Sequence, residues 1–332
     1  MRHLIRAVCA ATLLAVGAAR AEVSEVRFAQ QFSMAFMQFN VMAHQHLLEK
    51  HAAALGVPNI TVSWRIFNGP DNMNDALLAK SVEVVSGGVP GLITLWAKTV
   101  GTPQEVRGIS AMSQAPILLN TRAPNVRSIK DLTSANKIAL PAVKVSIQAV
   151  VLEMAAAKEW GDKSYDKLDE LTVSLSPPDA TTGLMSGSGS FDSAFTIPPF
   201  QNLQLTNPAV HTILDSYDLM GQSTASVAWT SKVFHDENPK VYKALLLAIK
   251  EASDIIAADP RLAVSYYVED TKSKMSVDDI VRIISDPRYR YAVTPLATKT
   301  YANFMYRVGK TKHDAASWKD MFFPEIWDLP GS

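Results

Sequence analysis

Thiol chemistry is all but missing from this sequence, whose only cysteine is Cys9. That residue falls inside a stretch that predicts a secretory leader: Arg2 and Arg6 at a charged start, an apolar run from Val8 to Ala19, and Ala19-Arg20-Ala21 as an A-x-A cleavage site. Cys9 stands too early in the leader for lipid attachment. Cleavage of residues 1–21 starts the mature chain at Glu22 and removes the thiol, which excludes disulfides, thiolate nucleophiles and cysteine-ligated metals. A chain without thiols suits an oxidising compartment, and the expected location is the periplasm.

Long apolar runs are missing too. The leader's run covers about 12 residues, against the roughly 20 that a membrane-spanning helix needs, so the mature chain is expected to be soluble and not inserted in a membrane. Neither sign of charge dominates: without Arg2, Arg6 and Arg20, the mature chain has 29 basic residues against 32 acidic ones. Nucleic acid and anionic membranes are poor partners for such a surface. Nucleotide-binding glycine motifs, H-E-x-x-H and G-x-S-x-G are all absent. His44 and His46 leave a helix in nearly opposite directions, and His51 lies two turns from His44, so these three do not share a metal ion. Neither a metal nor a cofactor is expected, and the chain is not expected to be an enzyme.

What is present is alternation. Short strands predicted at Val23 to Ala29, Ile60 to Phe67 and Glu83 to Ser86 are separated by segments of helical period. The first of these carries Met34, Met37, Val41, Leu48, Ala52 and Leu55 on one stripe, which predicts a single helix ending at Gly56 with its methionines in the core. Asn68-Gly69-Pro70-Asp71 turns the chain into the next helix with Asp71 as its cap, and Pro90 fits the first turn of another. A second series follows Ser110, with strands at Ile117 to Asn120, Lys137 to Leu140, Leu171 to Leu175 and Asp192 to Thr196, and a helix from Ile147 to Trp160 capped by Ser146 and closed by Gly161. Beyond Pro208 come strands at His211 to Leu214 and Ser226 to Thr230. A long helix opening at Asn238-Pro239 then leads a helical tail back onto the first series. The 311 residues after Ala21 exceed one comfortable core. The reading is an α/β protein of two lobes, each a mainly parallel sheet flanked by helices: residues 22–110 with 222–332, and 111–221. Crossings are expected near 108–116 and 206–225.

Asn68-Gly69-Pro70 followed by Ala76-Leu77, Ser86-Gly87-Gly88-Val89-Pro90, Val126 to Leu132, Lys144 to Gln148, and Asn238-Pro239 stand in an order that resembles the periplasmic solute-binding proteins of ABC importers for sulfonates, taurine, nitrate and thiamine-type pyrimidines. The resemblance implies a two-lobed clam with two hinge crossings. It also implies a monomer that closes on a small-molecule ligand and is read by a membrane permease.

Ligands of open α/β sheets bind beyond the carboxyl ends of strands, where helix N-termini offer unpaired N–H groups to anions. The loop after the first strand offers Gln31 and Ser33 as polar contacts and Phe32 as an apolar wall; Ser33 as a helix cap is the plainer alternative. Gly87, Gly88 and Val89 let a ligand approach main-chain donors, or form a structural turn. In the second lobe, Lys144, Ser146 and Gln148 combine a cation, a hydroxyl cap and a helix start, although Lys144 can equally face water. Thr196 ends a strand of the same lobe, and Ser223 and Thr224 lie on the returning crossing. Together these predict a small anionic organic guest, sulfonate-like or carboxylate, with Phe32 and Trp64 leaving room for an apolar tail. Two other classes share the scaffold. An enzyme of thiamine-pyrimidine synthesis would look cytosolic and cysteine-dependent, unlike this chain, whereas a sensor presenting its ligand to a receptor has no distinguishing sequence feature.

Overall fold

A computed structural model describes residues 21–332; Cys9 and all of the expected leader but Ala21 lie outside the described residues. The chain opens with β1 (Glu25–Gln30) and a 3-10 turn, Met34–Phe36. The helix expected next is two helices, α1 (Met37–Gln45) and α2 (Leu47–Ala54), because His46 takes a left-handed backbone with φ 49°. The stripe survives the break: Met34, Met37, Val41, Leu48 and Ala52 are all buried. Then follow β2 (Thr61–Ile66), α3 (Pro70–Leu78), β3 (Val84–Gly88) and α4 (Val89–Thr99). The cap of α3 is Gly69 with Pro70 at its first position, and Asp71 falls inside the first turn.

A strand that the sequence pattern hides comes next, β4 (Val106–Gln114). It carries the chain to β5 (Leu118–Thr121), β6 (Ile138–Leu140), α5 (Ile147–Trp160), β7 (Thr172–Ser174), α6 (Pro177–Ser186), β8 (Ser193–Thr196), α7 (Phe200–Gln204) and β9 (His211–Asp215). The return runs through α8 (Ser216–Met220) into β10 (Thr224–Ser231) and α9 (Lys232–Glu237). After it come α10 (Pro239–Ala258), α11 (Pro260–Thr271), α12 (Val277–Ile284), β11 (Arg290–Tyr291) and α13 (Thr298–Arg307).

These strands make two sheets, one of six in the order β11-β4-β10-β3-β1-β2 and one of five in the order β7-β6-β8-β5-β9. Parallel pairing holds inside each strand–helix series: β1 with β2 and β3, and β6 with β7 and β8. The strands next to the crossings pair antiparallel, β10 with β3 and β4, and β5 with β8 and β9. The sheets are therefore mixed rather than mainly parallel. Chain direction reverses in the strands that receive the chain from the other sheet, β5 and β10, whereas β4 and β9, which deliver it, run in the same direction as the parallel strands of their own sheets.

The long helix α10 buries Val241, Leu245, Ala248, Ala252 and Ile256 against α1 and α2. A second cluster of buried side chains is continuous across both sheets. It joins Leu92, Leu95 and Trp96 of α4 to Val150, Val151 and Met154 of α5 and to Tyr301, Phe304 and Met305 of α13. The two lobes thus share one apolar core on this flank.

Candidate ligand-binding cleft

Four helices begin where the two sheets face each other. Pro70 opens α3, Gly88 caps α4, Ser146 caps α5 and Pro177 opens α6, and all four residues line one cavity of about 20 Å³. Each helix start contributes a partial positive charge and orphan N–H groups. Proline removes one donor each from α3 and α4, at Pro70 and Pro90, and two from α6, at Pro177 and Pro178, so α5 presents the fullest set.

The lining holds Gln31, Phe32, Phe36, Ile147, Gln148 and Ile197 but no charged side chain. At this volume the cavity has room for about one water molecule. It is shut by direct contact between lobes. A Cβ at Gly88 would stand 2.8 Å from the Ile147 Cβ, closer than real side chains approach. The Ser33 hydroxyl donates to the Pro198 carbonyl at 2.6 Å while accepting from the Ala35 N–H, so the predicted cap and a tie between lobes are the same atom. Two amides have nothing to hold: among the described residues, neither the Gln31 nor the Gln148 side chain finds a hydrogen-bond partner, and Gln148 is 2% exposed. Neither amide is among the fully buried polar groups left without a partner, so both face the cavity, where a bound polar group or water can hold them.

Beyond Phe32 the cleft opens. Gln31 and Phe32 also line a second chamber of about 540 Å³, walled by Gln30, Ile66, Tyr267 and Met275 from one lobe and by Met185, Phe200 and Leu203 from the other. The exposed Lys272 and Lys274 border it.

Of the residues singled out in the sequence, Gln31, Phe32, Gly88, Ser146 and Gln148 meet at the inner cavity and Ser33 lines the outer chamber. The others lie elsewhere. Gly87 is a packing position, where a Cβ would meet Met73, Trp229 and the Gln31 amide. Val89 is fully buried in the core. Lys144 is exposed, with a left-handed φ of 68°, and its carbonyl accepts from the Lys310 ammonium at 2.7 Å. The Thr196 hydroxyl accepts from the Gln204 amide, inside a buried polar network that also ties Gln204 to Asn120 and Thr181. Ser223, just before the returning strand, and Thr224, its first residue, are both buried, and the Thr224 hydroxyl accepts from the Leu296 N–H. Trp64 stacks on Phe28 with ring centroids 4.2 Å apart, facing the helices and not the cleft.

Sequence reasoning missed Phe36, Gly91, Pro141, Pro177, Ile197 and Ala225, all of which line the inner cavity. Pro177 carried a signal, since it follows a strand and opens a helix. Phe36 and Ala225 carried none, because only tertiary packing turns them inward.

No protein-family model matches the chain, and no curated protein matches it. Solved structures do. The alkanesulfonate-binding protein SsuA from Xanthomonas axonopodis pv. citri, bound to MOPS, is 16% identical with a TM-score of 0.69, over 88% of this chain and 96% of that one. The periplasmic aliphatic sulphonate binding protein SsuA from Escherichia coli is 16% identical with a TM-score of 0.66, over 91% and 98%. The periplasmic nitrate-binding protein NrtA from Synechocystis PCC 6803 is 16% identical with a TM-score of 0.67, over 90% and 84%. At such identities the likeness is one of architecture: this chain has the two-lobed fold of the periplasmic binding proteins, with a cleft between two sheets that the chain crosses twice.

Proposed function

We propose that the protein is the substrate-binding component of an ABC-type importer. Exported by its leader and working as a monomer without cofactor, it captures a small anionic organic solute, sulfonate-like or carboxylate, between its lobes and offers the closed form to a membrane permease. The observation that carries this reading is the meeting of Gly88 from one lobe with Ile147 from the other, at a point where four helices begin. Positive helix ends favour an anion without a basic side chain. The inner lining offers amides and a hydroxyl and no acid–base pair, which favours holding a ligand over transforming one.

The test is a thermal-shift screen on residues 22–332 with sulfonates, nitrate and carboxylates, because a ligand that binds only the folded chain raises its melting temperature. A reproducible rise with at least one anion is expected. A protein unmoved by all of them, yet shifted by a neutral heterocycle, would overturn the anionic reading. One that turns a ligand over would overturn the transport reading.

A further inference from the structure

We infer that residues 293–323 form a strap that holds the lobes closed, and that parting the lobes carries a buried carboxylate into water, so the open form gains as pH rises. Both ends of the strap are fixed to the six-stranded sheet. At one end the Val293 carbonyl accepts from the Ala111 N–H at 3.1 Å, and the Leu296 carbonyl from the Thr224 N–H at 3.0 Å; at the other the Phe323 N–H donates to the Gly108 carbonyl at 2.9 Å. Its middle is tied to the other lobe. Arg307 pairs with Asp162 at 2.6 Å, and the Lys310 ammonium donates to both Glu153 oxygens, at 2.5 and 2.7 Å, and to the Lys144 carbonyl at 2.7 Å. Glu153 lies on α5, which follows β6 of the five-stranded sheet. A segment anchored at both ends to one sheet and bonded midway to the other must let go before the sheets can separate.

The two ion pairs differ in what water does to them. Arg307 and Asp162 are already about half exposed, so their pair contributes little in either state. The Glu153 side chain is fully buried, and the groups facing it are unbalanced. The strap brings the Lys310 ammonium; the same lobe brings the Tyr165 phenol and the carboxylates of Asp166 and Asp169, with the Lys144 ammonium acting on Asp169. Burial, opposed by Lys310 and aided by the two aspartates, lifts Glu153 from the ordinary 4.5 to about 7. Once the strap leaves, water reaches the carboxylate and its hold on a proton weakens. Between about 4.5 and about 7 the closed form therefore keeps a proton that the open form has released, so closure is favoured below that window and loses ground as pH rises through 7.

Residues 22–332 contain no cysteine, so a pair of spin labels can report the separation of the lobes. Asn125→Cys, between β5 and β6, and Lys243→Cys, on α10, are exposed positions on opposite lobes, and Asn125→Cys with the exposed Lys274→Cys makes a second pair. Label-to-label distances are read without ligand at pH 5 and pH 8. The ratio of open to closed protein is expected to rise at least about tenfold between them, under a ceiling of about 300-fold that the shift from 4.5 to about 7 sets. Glu153→Gln, which keeps the shape and drops the charge, should show the pH 5 distances at both values. Lys310→Met should open further than the parent at pH 8 and match it at pH 5; if it unfolds at pH 8, Glu153→Gln carries the test. His313, exposed on the strap, is unchanged in every variant, so no difference between variants comes from it. Parent distances that are the same at both pH values, or a Glu153→Gln chain that opens as the parent does, would overturn the inference. No ligand enters the measurement, so either result leaves the anion screen to judge the binding reading alone.

Discussion

The two sides of Phe32 are built in opposite ways from similar material. On the inner side, main chain meets side chain closely: a Cβ at Gly88 would stand 2.8 Å from that of Ile147, and one at Gly69 would already be in van der Waals contact with that of Ala142, at 3.4 Å. Behind this contact, α4, α5 and α13 share one apolar core. Two ionic ties join the C-terminal segment to the smaller lobe, Arg307 to Asp162 at 2.6 Å and Lys310 to Glu153 at 2.5 Å. On the outer side, long residues such as Phe200, Leu203 and Met275 face each other across empty space. Glycine lets two backbones approach until nothing fits between them, whereas large side chains on both walls prop a gap open. The inner contact is therefore a stop and the outer gap a receptacle.

The largest effect is expected from breaking the ties behind the inner contact. Glu153 has a fully buried carboxylate, and burial pushes it up to about 7, with the charges of Asp166 and Asp169 adding to the push and Lys310 opposing it. Lys310→Met strands that carboxylate. Removing one partner of a buried pair costs about 3–5 kcal/mol, so the variant's denaturation midpoint at pH 8 should fall sharply, and by much less at pH 5, where Glu153 is protonated. In the parent chain the sign follows from the raised value. Between about 4.5 and about 7 the folded state holds a proton that the unfolded chain has released, so this group's contribution is present below that window and is lost as pH rises through 7. Glu153→Gln should flatten that part of the stability profile. A profile identical to that of the parent would remove Glu153 as its source.

Gly88→Val comes next. Its methyl groups must enter space that Ile147 holds, and overpacking of this kind costs about 1–3 kcal/mol. The expected result is a more open particle by small-angle scattering and a five- to hundredfold loss of ligand affinity; an unchanged radius of gyration would contradict the stop. Gln148→Leu has the smallest effect. It deletes an amide that has no partner, so stability should hold or rise by up to about 1 kcal/mol while affinity for a head group reaching the inner cavity falls up to about tenfold. If affinity does not change, the ligand never reaches that cavity, and the outer chamber alone does the holding.

Elements with a strong local signature were legible before any coordinates. The helix capped by Ser146 and closed by Gly161 lies where its caps place it, and Asn238-Pro239 opens the long α10. β4 was not legible, since Val106–Gln114 is buried almost throughout and built largely from small residues, with neither alternation nor a β-branched run to mark it. The break at His46 escaped for a related reason: the apolar stripe continues through it, and periodicity records which face is buried, not whether the backbone is continuous.

By itself, the sequence determined the alternation of strands and helices, the loops that open helices, and five of the residues that meet at the inner cavity, because each of these depends on chemistry within one turn of chain. Only the tertiary structure decided that Thr196 joins a buried network, that Lys144 lends its carbonyl to Lys310, and that the room for a ligand lies beyond Phe32. Those outcomes depend on which side chains from distant segments compete for the same space, and local patterning carries no record of that competition.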